Sequence, residues 1–178
     1  MMKFLISVIL LIIMVVQTYA ASPSQNSKDT SLVVNTCKNT PHYRLCLAVL
    51  RRSPKSATAD VRGLALIAVG AVKTEAERAM DAIKKLRKEQ GQGKGVAAAL
   101  KQCAEVYDAV LEGDVEEAEE GLKLGDPKFA ENGMADAAVE ADSCEDAFAG
   151  VGKSPLSRVN SAVHDIAEVA RAIIRNLL

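Results

Sequence analysis

Residues 155–178 read PLSRVNSAVHDIAEVARAIIRNLL, in which Leu156, Val159, Val163, Ile166, Ala170, Ile173 and Leu177 recur in alternating steps of three and four. That period puts them on one stripe of a helix about six turns long. Ser154 and Pro155 supply a cap and a proline suited to a first helical turn. Upstream, Met134, Ala137, Ala141, Cys144 and Phe148 form a similar stripe that ends at Gly150 and Gly152. A third runs through Leu100, Cys103, Tyr107, Val110, Leu111, Val115, Ala118 and Leu122 and stops near Gly125. The fourth covers about Ala59 to Lys88 through Leu64, Ala68, Ala71, Val72, Ala76, Met80 and Ile83, and Gly91-Gln92-Gly93-Lys94-Gly95 terminates it. Long helices joined by short glycine-containing turns predict an all-α, up-and-down antiparallel four-helix bundle over about 57–178.

Composition agrees with this reading. The chain has 178 residues, 49% of them hydrophobic but only 3% aromatic, and a net charge of -1. Alanine and leucine lose little side-chain freedom in helices, whereas strands favour β-branched and aromatic residues. The charge balance excludes an electrostatic case for nucleic acid. The apolar share excludes a chain that stays disordered.

Lys3, the apolar run Phe4–Val16 and the small residues Thr18 and Ala20 read as a secretory signal peptide over residues 1–20. The run is shorter than the roughly 20 apolar residues a membrane span needs, so no membrane association is expected after cleavage. Residues 21–178 are then a single domain, with Ser22 to Thr30 as a loose polar lead-in.

Secretion makes the even cysteine count, Cys37, Cys46, Cys103 and Cys144, suggest two disulfides. Their spacing suits no metal site, and neither a metal nor a cofactor is expected. Counted from the turn at Gly125, Cys103 and Cys144 fall within roughly 5 Å of the same height on facing stripes. Cys37 and Cys46 flank Asn39-Thr40-Pro41 and would staple a small helical hairpin over about 30–50. The pairs Cys37 with Cys46 and Cys103 with Cys144 therefore have local support that mixed pairings lack.

Catalytic residues are sparse. His42 and His164 read as structural, and no nucleophile elbow, phosphate loop or zinc-binding helix motif occurs. The acidic run Glu112, Asp114, Glu116, Glu117, Glu119 and Glu120 and the basic run Lys84, Lys85, Arg87 and Lys88 read as solvated faces. One segment, Gly125-Asp126-Pro127-Lys128-Phe129, concentrates a cation and a scarce ring at a helix start. Its simplest reading is structural: Asp126 caps, Pro127 takes the first position and Phe129 staples the turn onto the core. The functional alternative is a pre-organised tip that presents Lys128 and Phe129 to a partner.

With Thr36-Cys37-Lys38-Asn39-Thr40-Pro41, Cys46, Cys103, Cys144 and the ending Arg171–Leu178, the chain resembles the plant invertase and pectin methylesterase inhibitor family across residues 21–178. The poorest match is the Gly91–Gly95 loop. The resemblance implies a helical hairpin before a four-helix bundle, with the same two disulfides. The family implies an inhibitor rather than an enzyme, and Pro127-Lys128-Phe129, within a Gly125–Met134 stretch like that of cell-wall invertase inhibitors, implies an invertase inhibitor rather than a methylesterase inhibitor. The implied partner is cell-wall acid invertase, with the vacuolar enzyme as the alternative. The implied mechanism occludes the sucrose site: Lys128 pairs with the active-site carboxylates, Phe129 fills the sugar cleft, and Asp126 and Pro127 hold the tip. The implied address is the apoplast or cell wall, with the vacuole as the alternative. Two other readings compete: inhibition of pectin methylesterase through helix faces, and a small-ligand carrier, against which the alanine-rich stripes argue.

Overall fold

The computed structural model describes residues 26–89 and 93–178. The segment 1–20 expected to be a signal peptide, the rest of the chain before Asn26 and residues 90–92 of the glycine-rich loop lie outside the described residues. Two helices come first, α1 (Asn26–Lys38) and α2 (Tyr43–Arg52), followed by a 3-10 turn (Pro54–Ala57) and α3 (Val61–Lys88). Then come α4 (Lys94–Ala109), a π-helical segment (Val110–Asp114), α5 (Val115–Leu124), α6 (Pro127–Asp146) and α7 (Ser157–Arg175).

The stripes decide how these helices pack. α3 packs on α4, α5 and α7, and α6 packs on α5, α4 and α7, so the ring closes between the last helix and the first long one. Leu64, Ala68, Val72, Leu100, Tyr107, Met134, Ala137, Val163, Ala170 and Ile173 are all buried in one core. Abundant alanine at these positions lets helix axes approach closely. Asp60 caps α3, its Oδ1 accepting from Gly63 N at 2.8 Å.

α1 and α2 form the hairpin, and α2 lies against α3 and α7. Disulfides join Cys37 to Cys46 within it and Cys103 on α4 to Cys144 on α6. The hairpin turn is tied to the end of α7, where Asn39 Nδ2 donates to Asn176 Oδ1 at 3.2 Å. His42 faces Asp165, and His164 faces Asp142, at 3.5 and 3.1 Å. A buried polar bridge crosses the bundle: Tyr107 Oη donates to Asn160 Oδ1 at 2.8 Å, and Asn160 Nδ2 donates to Glu145 Oε2 at 2.7 Å. Burial first, then the nearby Glu145 and Asp142 charges, push the Tyr107 hydroxyl up, so it stays a donor. Burial also pushes Glu145 up, but hydrogen bonds from Ser157, Asn160 and Ser154 outweigh it and hold that carboxyl below its ordinary value.

Three features differ from the sequence expectation. Asn26–Thr30 is helical rather than a loose lead-in, extending the first hairpin helix by a turn. α7 starts at Ser157, not Pro155. Ser154 Oγ accepts from Leu156 N at 3.1 Å in a turn just before the helix, so its capping chemistry is used two residues early. At the other end of that connection Phe148 is buried, and it sits in the turn after α6.

The third difference is the π-helical interruption between α4 and α5, where the sequence predicts an unbroken α-helix. Backbones meet there: a Cβ on Gly133 of α6 would lie 2.4 Å from the Asp114 carbonyl oxygen, so only glycine permits the contact. The bulge also turns Asp114 off the solvated acidic face. Its Oδ2 is buried and has no hydrogen-bond partner among the described residues. Burial, then Asp136 and Glu140 on α6 and Glu117 on α5, push its carboxyl up to about 7. A carboxyl raised in the folded state adds stability below its unfolded pKa, and that contribution is lost as pH rises through the folded value. The rise from 3.8 to about 7 sets a ceiling of about 4 kcal/mol, and partial exposure reduces it to about 2. Asp114→Asn, unable to ionise, is expected to lose about 2 kcal/mol less unfolding free energy than wild type between about pH 4 and pH 7.5. Urea melts at both pH values check this, and parallel losses in the two proteins would refute it.

Candidate functional site

α5 ends at Gly125, whose φ of 81° is left-handed, and the chain reverses directly into α6. Asp126 N donates to Gly121 O at 2.8 Å, and Asp126 Oδ1 accepts from Phe129 N at 3.0 Å. Pro127 takes the first helical position, where its missing N–H costs nothing. The start of α6 rests on α5 with no space for a side chain between them: a Cβ on Gly121 would come 2.7 Å from Ala130 N and 2.8 Å from Asp126 O. Residues 126–130 are therefore braced by the backbone of α5.

Phe129 does not staple this turn onto the core, since 42% of it is exposed. The reason is helical phase. With Asp126 as cap, the fourth helical position belongs to Ala130, which is fully buried and lies on the Met134, Ala137, Ala141 stripe. Phe129 is one residue, about 100°, off that stripe. The neighbouring Leu124 is also exposed. Ring and cation thus stand together on the surface at a rigid helix start.

Lys128 has a partner within the molecule. Its Nζ donates to Glu131 Oε2 at 2.7 Å, while its side chain stays 66% exposed. Glu131 is only 4% exposed. Its other oxygen, Oε1, accepts from Arg175 Nε at 2.6 Å and lies 3.6 Å from Arg171 Nε. Arg171 also donates to Glu168 Oε1 at 2.9 Å, which raises its pKa further. The hydrogen bond from Lys128, then those and the charge from Arg175, outweigh burial and hold the Glu131 carboxyl down to about 2.

Sequence reasoning missed Glu131, Arg171, Arg175 and Gly121. The Lys128-to-Glu131 step of three was a readable signal. The arginines come from the last helix, whose end reaches the tip only in the folded bundle. Elsewhere, a cleft of about 790 Å³ lies between α2, the 54–57 turn, α3 and α7, its lining including Val49, Leu66, Ile67 and Ile166. It is open to solvent, so it does not enclose a ligand in the bundle interior. Among the described residues, no cluster of histidine, cysteine and carboxylate side chains is arranged to hold a metal.

Hairpin, bundle and two disulfides define a disulfide-stapled all-helical domain. Residues 31–173 match the family described as "Plant invertase/pectin methylesterase inhibitor", and the chain belongs to that family. It is 38% identical over 145 residues, 82% of this chain and 68% of the relative, to a protein named "Cell wall / vacuolar inhibitor of fructosidase 1" from Arabidopsis thaliana. To a "Pectinesterase inhibitor" from Actinidia deliciosa it is 27% identical over 173 residues, 96% of this chain and 91% of that one. Its fold matches the crystal structure of a mutant pectin methylesterase inhibitor from Arabidopsis with a TM-score of 0.68 at 21% identity, covering 78% of this chain and 92% of that one. The family and these relatives are named as inhibitors, so the protein is classed with inhibitors and not with enzymes.

Proposed function

We propose that this protein is a secreted inhibitor of acid invertase, and that it blocks the sucrose site by inserting the Pro127-Lys128-Phe129 tip. The observation that carries this reading is the exposed pairing of Lys128 and Phe129 on a backbone-braced helix start. A retaining glycosidase works with two carboxyl groups flanking the scissile bond. An ammonium delivered between them meets negative charge in a water-poor cleft, and the adjacent ring fills space shaped for a sugar. Because Asp126, Pro127 and Gly121 already hold the tip in place, little conformational entropy is lost on docking. Pairing needs ionised enzyme carboxylates, so affinity follows their titration. The names of the fructosidase-inhibitor relatives support both the partner class and a cell-wall or vacuolar address. The proposed address is the apoplast, after removal of residues 1–20.

Purified protein is expected to inhibit a plant cell-wall invertase competitively with sucrose and to leave pectin methylesterase activity unchanged. Inhibition of pectin methylesterase alone would transfer the assignment to the other branch of the family. Binding would then run through helix faces and leave the tip incidental.

A further inference from the structure

Among the described residues, Glu131 is the most deeply buried carboxylate whose environment the proposed function leaves unexplained. Buried carboxylates are costly unless paired, and losing one partner of such a pair costs more than the pair itself contributes. Here the pairing is divided. Among the described residues, Oε2 accepts from Lys128, and Oε1 faces Arg175 and Arg171. A lysine ammonium has three N–H donors. Glu131 takes one of them, which leaves two for a partner on a side chain that is still largely exposed.

Resting on the tip reading above, we propose that Glu131 is the positioning residue of that tip. It clamps Lys128 through one donor and leaves two for the carboxyl pair of an acidic cleft, while Arg175 and Arg171 neutralise its own charge. Each part of the arrangement has a physical consequence. An unclamped lysine carries substantial rotamer entropy, which binding would have to remove; the clamp removes it beforehand. An uncompensated Glu131 would repel the partner's carboxylates and hold Lys128 back, and the two arginines prevent both. Arg175, itself half exposed, acts here by holding Oε1 of Glu131. Glu131 does not touch the partner in this arrangement, so its whole effect passes through Lys128.

The test is a mutant cycle on inhibition of purified cell-wall invertase, using the full chain with both disulfides formed. Glu131→Gln is expected to weaken inhibition about tenfold, with the loss confined to backgrounds that contain Lys128. Glu131→Gln combined with Lys128→Ala should be no weaker than Lys128→Ala alone, within about twofold. In nitrogen-15 spectra the Lys128 ammonium should be slowed in exchange in wild type and not in Glu131→Gln, with backbone shifts elsewhere unchanged. Full potency of Glu131→Gln, or losses that multiply in the double variant, overturns the positioning role and leaves the tip intact. Full potency of Lys128→Ala overturns the tip reading itself, which separates the two failures. If Glu131→Gln does not fold, Arg175→Gln at the exposed end of α7 replaces it. A loss of about fivefold that vanishes in the Lys128→Ala background is expected, and wild-type potency overturns the proposal.

Discussion

The variant Lys128→Ala, Phe129→Ala is expected to fold normally and to inhibit acid invertase at least about a hundredfold more weakly than wild type. Fully burying a phenylalanine contributes about 1.5–3 kcal/mol, and with 42% of Phe129 exposed in the free protein, roughly 1 kcal/mol of that remains to be gained on docking. A close, desolvated charge pair across an interface couples by about 1.5 kcal/mol or more. Together these approach about 3 kcal/mol, or about two decades in affinity. The fold should hardly notice. Phe129 lies off the core stripe, and removing Lys128 leaves Glu131 paired with Arg175 and Arg171. The melting temperature should therefore stay within a few degrees of wild type. Inhibition constants and thermal melts on the same preparations check both halves. A well-folded double variant with undiminished potency would remove the tip from the inhibitory surface.

Helix positions were legible in the sequence because each stripe is local and periodic, and the stripes also brought Cys103 and Cys144 to one height. The π-helical segment was not legible. Val110, Leu111 and Val115 fit a straight helix equally well, and the interruption exists where Gly133 of another helix meets the Asp114 carbonyl. For the same reason Asp114 read as one of many solvated carboxylates. At the tip, Asp126 and Pro127 were legible from capping chemistry alone. The exposure of Phe129 was also within reach, because the α6 stripe extrapolates back from Met134 to Ala130 and passes Phe129 by. Glu131 was the residue least open to sequence reasoning: a glutamate two residues past a phenylalanine looks solvated until the end of α7 brings two arginines against it.

Replacing Cys103 and Cys144 together by alanine is expected to cost about 4 kcal/mol of unfolding free energy. The bridge closes a separation of 41 residues, and the chain-entropy relation gives about that value for a loop of this length. Both cysteines are fully buried and link α4 to α6, so the loss acts on the whole bundle. The melting temperature should fall by about 10 °C in a single transition. Cys37 and Cys46 close only 9 residues, for which the same relation gives about 3 kcal/mol. Their loss should also take a different form. The hairpin meets the bundle through Val33, Val49 and Leu50 and through polar ties such as Asn39 to Asn176. Without its staple it should open locally, with amide exchange and proteolysis rising in α1 and α2 before the bundle melts. The tip belongs to the turn between α5 and α6 and contains neither bridge, so both double variants should still inhibit invertase at about 25 °C while folded. Equal melting midpoints for the two, with no early opening of the hairpin, would show that neither loop length nor position sets what each disulfide contributes.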